Sequence, residues 1–206
     1  MIPKAERPLP HLPGRTFAVI ALATSAGGLN ALSKILSALP ANFPTAIAVV
    51  QHLSPQHPSW LVHILGNRIA LRVKQAEDGD RLQAGTVHIA PPDQHLLVNP
   101  NSTLSLSDAA RVQYARPAAN VLFESVASSF KERAIAVVLT GMGKDGATGV
   151  QVIKQGGGVV IVQNEATSEF FSMPNAAIHT GMVDFILPLD KIPTALISLV
   201  MPGAAG

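Results

Sequence analysis

Three polar residues of the kinds that acyl transfer requires are spread along the 206-residue chain: Ser25, His52 and Asp145. Each of them follows an apolar stretch with the composition of a buried strand. A serine hydroxyl is a weak nucleophile until a neutral imidazole takes its proton, and a carboxylate behind the imidazole fixes its tautomer and stabilises its charged form. If the three stretches are parallel strands of one sheet, the sequence predicts a Ser-His-Asp site at one edge.

Each of these residues also has a structural explanation when it is considered alone. A serine before a helix is usually an N-cap, and a histidine after a strand is more often a hydrogen-bonded surface residue. Asp145 is followed by Gly146, which is a common turn pair. The turn at residues 24–28 could also cradle a phosphate. The residues by themselves therefore leave nucleophile, helix cap and phosphate cradle open.

Glycines accompany both the serine and the aspartate. Glycine lets the backbone approach a substrate without a Cβ in the way, and a helix that begins after Ser25 directs its free N–H groups toward that residue. Backbone donors aimed at a developing oxyanion contribute about 10²–10³ in rate each. The glycines concerned are Gly27, Gly28, Gly141 and Gly143.

Apolar stretches alternate with segments of helical periodicity, and this alternation predicts the fold. A doubly wound, mostly parallel α/β sheet with helices on both faces is expected, with ligands beyond the carboxyl ends of its strands. The helix at residues 59–68 is expected to have Ser59 as its N-cap and Trp60 as a packing residue. The expected strands lie at residues 17–22, 46–50, 134–139, 158–162 and 184–187. The other expected helices lie at residues 29–39, 118–132, 146–155, 174–179 and 192–200.

Residues 73–106 have a different character, because short apolar pieces are separated by turn signals such as Asp78-Gly79 and Pro91-Pro92. The piece HLLVNPNSTLSL is typical of an antiparallel β-hairpin. We expect this whole region to be an antiparallel excursion on the main sheet.

Composition limits the class of protein. Hydrophobic residues make up 48% of the chain and charged residues 14%, which favours a folded core. We expect an extended lead-in at residues 1–15, a single domain at 16–200 and a flexible tail at 201–206. A net charge of +2 without a basic patch argues against a nucleic-acid partner. The chain has no cysteine, which excludes disulfides and thiolate chemistry. With no apolar run of about 20 residues and no signal-peptide core, no membrane insertion and a cytoplasmic location are expected.

Two rival motifs are absent from the first βα turn. The dinucleotide fingerprint G-x-G-x-x-G has no counterpart there. The α/β-hydrolase elbow G-x-S-x-G is matched only by Gly27, since Ala23 stands at its first position. The chain order Ser, His, Asp also differs from that elbow's usual order of Ser, acid, His.

A group of motifs resembles one family: ATSAGG, VVQHL, AEDGDRL, HIAPPDQH, RPAANVLF, VVLTGMGKDGA, QNEA and SMPNAAI. In them the chain resembles the catalytic domain of CheB-type protein-glutamate methylesterases of bacterial chemotaxis, from about residue 17 to residue 196. The resemblance implies that Ser25 is the nucleophile, His52 the general base and Asp145 the orienting acid, with the backbone N–H of Met142 as an oxyanion donor. It also implies that no metal or organic cofactor is used.

The same resemblance implies hydrolysis of glutamate γ-methyl esters on chemoreceptors or similar methylated proteins, with methanol released, and deamidation of certain receptor glutamines. Chemotaxis members of the family carry an N-terminal receiver domain, for which residues 1–15 are too short. A stand-alone esterase, constitutively open or controlled by a regulatory partner, is therefore expected. The residues expected to contact substrate are Ala26, Gly27, Arg116, Asn164, Glu165 and Met173.

Two departures from the family pattern bear on substrate preference. Ala26 stands where a hydroxyl-bearing threonine is frequent, and Asn120 stands where an aspartate is common, so a charge near the cleft is expected to be absent. His88 and His95 lie on either side of Asp93, an arrangement for which a structural loop role is favoured over metal ligation.

The alternative to an esterase is a non-catalytic α/β module that docks on receptors or binds a small ligand. Such a module would explain the fold and the glycine loops without the triad. A nucleotide-binding domain is the third hypothesis, and the missing fingerprint argues against it.

Overall fold

A computed structural model describes residues 16–52 and 60–202. Its strands are β1 (Val19–Thr24), β2 (Ala46–Gln51), β3 (Arg72–Gln75), β4 (Thr86–Ile89), β5 (His95–Val98), β6 (Leu104–Ser107), β7 (Ala134–Val138), β8 (Val159–Gln163) and β9 (Phe185–Leu187). Its helices are α1 (Gly28–Ser37), α2 (Leu61–Gly66), α3 (Ala119–Phe130), α4 (Ala147–Gln155), α5 (Ser172–His179) and α6 (Ile192–Val200).

The main sheet has the strand order β3-β4-β2-β1-β7-β8-β9, and all of its neighbouring strands are parallel. The chain builds outward from β1 through β2 to β4 and β3, and then returns to the other side of β1 with β7. The order therefore reverses between β1 and β7, and in open α/β sheets ligands bind at such a switch point. The predicted doubly wound fold is confirmed.

One part of the predicted topology is wrong. The pieces at β3 and β4 pair in parallel with each other, and β4 pairs in parallel with β2, so both belong to the main sheet. Among the strands in the described residues, only β5 and β6 pair antiparallel, as a separate two-stranded sheet. The ten-residue connection from β3 to β4, at residues 76–85, contains no helix. Since most parallel crossovers contain one, the turn signals there suggested hairpins instead.

The two faces of the sheet are covered by different helices. Ile20 and Leu22 of β1 pack with apolar side chains of α1, α2 and α6. Val19, Ala21 and Ala23 point to the other face, which α3, α4, α5 and the β5–β6 hairpin cover. Side chains alternate along a strand, so residue 25 is expected to continue on the second face, and so is residue 52 after Ala48 and Val50 of β2.

The second helix differs from its prediction. The expected N-cap Ser59 lies outside the described residues. Trp60 is the residue that precedes α2, and it is 69% exposed, so the packing role predicted for it is wrong. Within the two described ranges, no helix is both long enough and apolar enough to cross a membrane.

Candidate active site

Ser25 and His52 follow directly after a pair of aligned residues. Thr24 at the end of β1 is in register with Gln51 at the end of β2, and the His52 N–H donates to the Thr24 carbonyl at 3.0 Å. Parallel strands lie about 4.8 Å apart, so Ser25 and His52 occupy neighbouring positions at the carboxyl edge of the sheet. The alternation of both strands directs them to the face covered by α3–α5.

His52 is bonded to Asp145. The distance between His52 Nε2 and Asp145 Oδ2 is 2.8 Å, and the two side chains are 18% and 4% exposed. Because Nε2 donates to the carboxylate, Nδ1 is the ring nitrogen left to accept a proton. The carboxylate thus fixes the tautomer that a general base needs.

Asp145 is held by the first turn of α3. Its Oδ2 accepts the Ala119 N–H at 2.6 Å, and its Oδ1 accepts the Asn120 N–H at 3.0 Å. The N-cap residue Ala118 supplies no side-chain cap, so Asp145 caps this helix from another loop. The positive end of the helix stabilises the buried negative charge.

Asn120 makes a second contact between α3 and the segment that follows Asp145. Its Oδ1 accepts the N–H groups of Gly146 at 3.0 Å and Gly149 at 2.9 Å, at the beginning of α4. The residue is 3% exposed. Asn120 therefore joins the two helix ends that position Asp145 and does not face the cleft, where its missing charge was expected to matter.

The backbone of the serine turn is fixed from three directions. Gln51 donates from Nε2 to the Ser25 carbonyl at 2.7 Å. The Ser25 N–H donates to the Thr140 carbonyl at 3.1 Å, and Thr140 Oγ1 donates to the Ala26 carbonyl at 3.1 Å while accepting the Phe170 N–H at 2.9 Å. Thr140 was not among the predicted site residues, and the signal that could have identified it is a hydroxyl shortly after the apolar strand β7.

The Ser25 hydroxyl is free of these bonds, since it has no hydrogen-bond partner within the described ranges. The N-cap of α1 is Gly27, at a left-handed φ of 76°, and this helix has no side-chain cap. Ser25 is therefore not a helix cap, and one of the alternatives left open by the sequence is removed.

We had expected the glycines after the serine to leave space for a substrate, but they do not. A Cβ on Gly28 would collide with the Gln51 and Thr24 side chains, so this glycine serves internal packing. A Cβ on Gly27 would lie 2.8 Å from Oε2 of the exposed Glu169. The space beside both residues is occupied by the protein itself.

The loop at Met142 presents a free backbone donor. The Gly141 N–H donates to the Phe170 carbonyl at 2.9 Å and the Gly143 N–H to Ser172 Oγ at 3.1 Å, whereas the Met142 N–H between them has no acceptor in the described part of the chain. A Cβ on Gly141 would lie 2.8 Å from Ser25 Cβ, so the loop touches the serine.

The residue after the serine presents a second such donor. The Ala26 N–H has no acceptor among residues 16–52 and 60–202, and the residue after a nucleophilic serine commonly supplies an oxyanion contact. Ala26 and Met142 therefore offer two backbone donors, one in the residue after Ser25 and one in the loop that contacts it.

A cleft of about 760 Å³ opens beside His52 and Asp145. Arg111 and residues 113–117 line it together with residues 142–145. Arg116 lies on this cleft, as expected, but its guanidinium is bonded to the Asp93 carboxylate and to the carbonyls of Asp108 and Ala109. The hydrogen bond from Arg116 keeps the pKa of Asp93 below its ordinary value.

The other residues expected at the substrate rim take several positions. Met173 is buried, and its Sδ would lie 2.7 Å from a Cβ on Gly141, so it supports the Met142 loop from below the surface. Asn164 caps a short 3₁₀ turn by accepting the Thr167 N–H at 3.2 Å, and Glu165 is exposed in that turn. Neither of these two lines the cleft.

The two histidines on either side of Asp93 in the sequence have different hydrogen-bond surroundings. His95 accepts the Ala118 N–H at Nδ1 and contacts the Ala110 carbonyl at Nε2, 3.1 Å away. These contacts support a structural role, although the residue begins β5 and does not lie in a loop as predicted. His88 is 2% exposed, and neither of its ring nitrogens has a hydrogen-bond partner in the described part of the chain. Among the residues that the structure describes, no group of three His, Cys, Asp or Glu residues could hold a metal ion.

A doubly wound sheet with serine, histidine and aspartate at its switch edge has the architecture of a serine-dependent hydrolase. The family model described as CheB methylesterase matches residues 20–196, and the chain belongs to that family. The crystal structure of the Thermotoga maritima CheB methylesterase catalytic domain is similar, with a TM-score of 0.86 and 39% identity over 90% of this chain and 100% of that chain.

Similar proteins have related names. A putative protein-glutamate methylesterase/protein-glutamine glutaminase of Leptospira interrogans is 38% identical over 183 residues, covering 89% of this chain and 95% of the relative. The protein-glutamate methylesterase/protein-glutamine glutaminase 2 of Anaeromyxobacter dehalogenans is 44% identical over 86% of this chain and 52% of the relative. The chain thus spans about half the length of some relatives and nearly all of another.

Proposed function

We propose that this chain is a serine esterase that removes methyl groups from glutamate γ-methyl esters of a chemoreceptor or another methylated protein. The observation that supports it most strongly is the 2.8 Å contact between His52 Nε2 and Asp145 Oδ2. It lies at the same sheet edge as Ser25, whose hydroxyl has no hydrogen-bond partner among the described residues. The names of the relatives supply the class of ester. They also favour an esterase over a non-catalytic binding module.

The first half of the reaction forms an acyl-enzyme. His52 Nδ1 accepts the Ser25 proton as Oγ bonds to the ester carbonyl carbon, and the carbonyl oxygen becomes an oxyanion. The free N–H groups of Ala26 and Met142 stabilise that oxyanion. The bond from carbon to methoxide oxygen then breaks, and His52 returns the proton so that methanol leaves. Hydrogen bonds between nucleophile and base are often long in a free enzyme and shorten with substrate.

The second half releases the glutamate. A water molecule gives its proton to His52 Nδ1 and bonds to the acyl carbon, after which the bond to Ser25 Oγ breaks and the serine regains a proton. The product is a carboxylate. A glutamine side chain enters the same sequence with ammonia in place of methanol, so deamidation needs no further group.

Four points stay predictions: the methylated chemoreceptor as substrate, a regulatory protein partner, the absence of nucleic-acid and membrane partners, and a cytoplasmic location. The single domain at residues 16–200 is also a prediction, and the lead-in predicted at residues 1–15 lies outside the described residues. What supports a protein substrate is the open cleft beside His52 and Asp145, which Arg111, residues 113–117 and residues 142–145 border.

Methanol release from a methylated receptor fragment tests the proposal. We expect release by the wild type, and a loss of about 10³-fold or more in the Ser25→Ala and His52→Ala variants. Ser37→Ala is the matched control, because this exposed hydroxyl on α1 bonds only to the Lys34 carbonyl. Unchanged release by a folded Ser25→Ala variant, or no release from any methylated protein, would contradict the proposal.

A further inference from the structure

The outer wall of the cleft is rich in positive charge. Lys144 and Arg111 line the cleft from opposite loops, and both are exposed to solvent. Arg116 adds a third cation to the same wall. Three aspartates lie nearby, namely Asp145, Asp93 and the exposed Asp108. Asp108 accepts from Arg116 through its backbone carbonyl, and its carboxylate makes no ion pair among the described residues.

Asp145 and Asp93 are already bonded to other groups. Asp145 is buried and bonded to His52 and to the first turn of α3. Asp93 is shared between two arginines, with Oδ1 2.9 Å from Arg116 Nη2 and 3.4 Å from Arg111 Nη2. One carboxylate therefore faces two guanidinium groups.

Lys144 has no acidic partner in the described part of the chain. The segment at residues 53–59, which follows His52, contains neither aspartate nor glutamate. Glu169 lies against Gly27 on the serine turn and does not line the cleft. The wall thus keeps an excess of positive charge, carried by Lys144 and by the guanidinium pair.

We propose that this wall, formed by Lys144 and Arg111, binds a carboxylate on the substrate segment next to the esterified glutamate. The inference rests on the proposed esterase function and names the preferred substrate as an acidic segment of the methylated protein. An exposed cation attracts such a segment from a distance and favours its correct orientation, and salt weakens the attraction. The exposed side chains make charge selection, rather than tight binding, the expected contribution.

Two synthetic peptides of equal length test this selection. Each carries one glutamate γ-methyl ester, flanked in one peptide by glutamates and in the other by glutamines. The wild type is expected to show a higher kcat/KM for the acidic peptide at an ionic strength of about 0.01 M, and a reduced preference at about 0.15 M.

Charge-removing variants locate the preference. Lys144→Gln and Arg111→Gln are each expected to lower kcat/KM for the acidic peptide about two- to five-fold, with little change for the neutral peptide. In the Arg111→Gln variant, Arg116 still forms its ion pair with Asp93, so this contact is kept. Lys191→Gln removes an exposed lysine that does not line the cleft, and it should leave both peptides unchanged.

The outcomes separate this inference from the function on which it rests. Equal kcat/KM for the two peptides in the wild type, or an equal loss for both in Lys144→Gln, would overturn the acidic preference and leave the esterase intact. The proposed esterase function itself would be contradicted if methanol were released from neither peptide nor any methylated protein and Ser25 did not react with a small neutral ester.

Discussion

The inner site and the outer wall of the cleft are built in opposite ways. At the inner site, Asp145 is 3% exposed and each of its oxygens accepts a backbone N–H. On the outer wall, Tyr114 is 98% exposed and Lys144 has no acidic partner among the described residues. The difference indicates that buried hydrogen bonds position the reacting groups, whereas the wall is left free to choose the substrate.

The exposed tyrosine belongs to a turn with an unusual backbone. Val112 and Ala115 exchange hydrogen bonds of 3.1 and 2.9 Å, and the two residues between them, Gln113 and Tyr114, have φ values of 49° and 66°. Two positive φ angles are typical of a type I′ turn, which usually contains glycine or asparagine. This turn holds the ring of Tyr114 away from the protein.

The largest expected effect comes from the inner site, through Asp145→Asn. An asparagine has no charge to stabilise the protonated His52 and can present its NH₂ group where the N–H donors of α3 now bond. We expect kcat for methyl-ester hydrolysis to fall about 10³-fold, measured by methanol release with folding checked by circular dichroism. A fall of less than about ten-fold would mean that the carboxylate does not orient the base.

The second largest effect is expected for Asn120→Ala, which removes the hydrogen bonds that join the beginning of α3 to the beginning of α4. The N–H groups of Gly146 and Gly149 lose their acceptor, and we expect the free energy of unfolding to fall by about 1–3 kcal/mol, together with a lower kcat. Asn120→Asp keeps an acceptor oxygen at this place and serves as the control. Equal stability of the alanine variant and the wild type in urea denaturation would contradict the account of this contact.

Tyr114→Ala tests whether the outer wall contributes to substrate binding and not to folding. A side chain that is 98% exposed contributes little to folding, so the free energy of unfolding should change by less than about 0.5 kcal/mol. For a methylated protein substrate, kcat/KM should fall a few-fold, since exposed tyrosines are frequent contact residues, and hydrolysis of a small ester should not change. A loss on the small ester would show that the tyrosine acts on the chemistry and not on docking.

The smallest expected effect lies away from both regions, at His88. Burial lowers the pKa of this histidine, although the charge of Asp80 works in the opposite direction. The unfolded chain takes up a proton as pH falls below about 6.5 while the folded chain does not, so this residue lowers the free energy of unfolding toward acidic pH.

His88→Phe removes that contribution and keeps an apolar ring in the cavity. Urea denaturation at several pH values between about 7 and 5 should show a weaker pH dependence in the variant than in the wild type. His179→Gln, at an exposed histidine of α5, is the control. Parallel pH profiles of His88→Phe and wild type would contradict the assigned role.

The sequence was sufficient for the parts of the site that depend on strand ends. Ser25 and His52 follow strands whose apolar composition is visible in the chain, and parallel strands end at one edge of a sheet. Asp145 was predicted in the same way, in the loop after the apolar stretch at residues 134–139, and the family motifs implied the roles of all three residues. These positions follow from local patterns, which a single sequence contains.

What the sequence could not supply depends on contacts between distant segments. The Thr140 hydroxyl bonds to the Ala26 carbonyl across 114 positions, and Asn120 bonds to Gly146 across 26. Trp60 is exposed although its type favours burial. The charge excess of the wall was likewise hidden, because it depends on which arginines share Asp93.

The most direct test of the central claim is a covalent one: the wild-type chain is treated with a fluorophosphonate and the modified residue is identified by mass spectrometry. The account predicts a single adduct on Ser25, formed rapidly in the wild type and slowly in His52→Ala. An adduct that persists in the Ser25→Ala variant, or a Ser25 that reacts equally fast without His52, would contradict it.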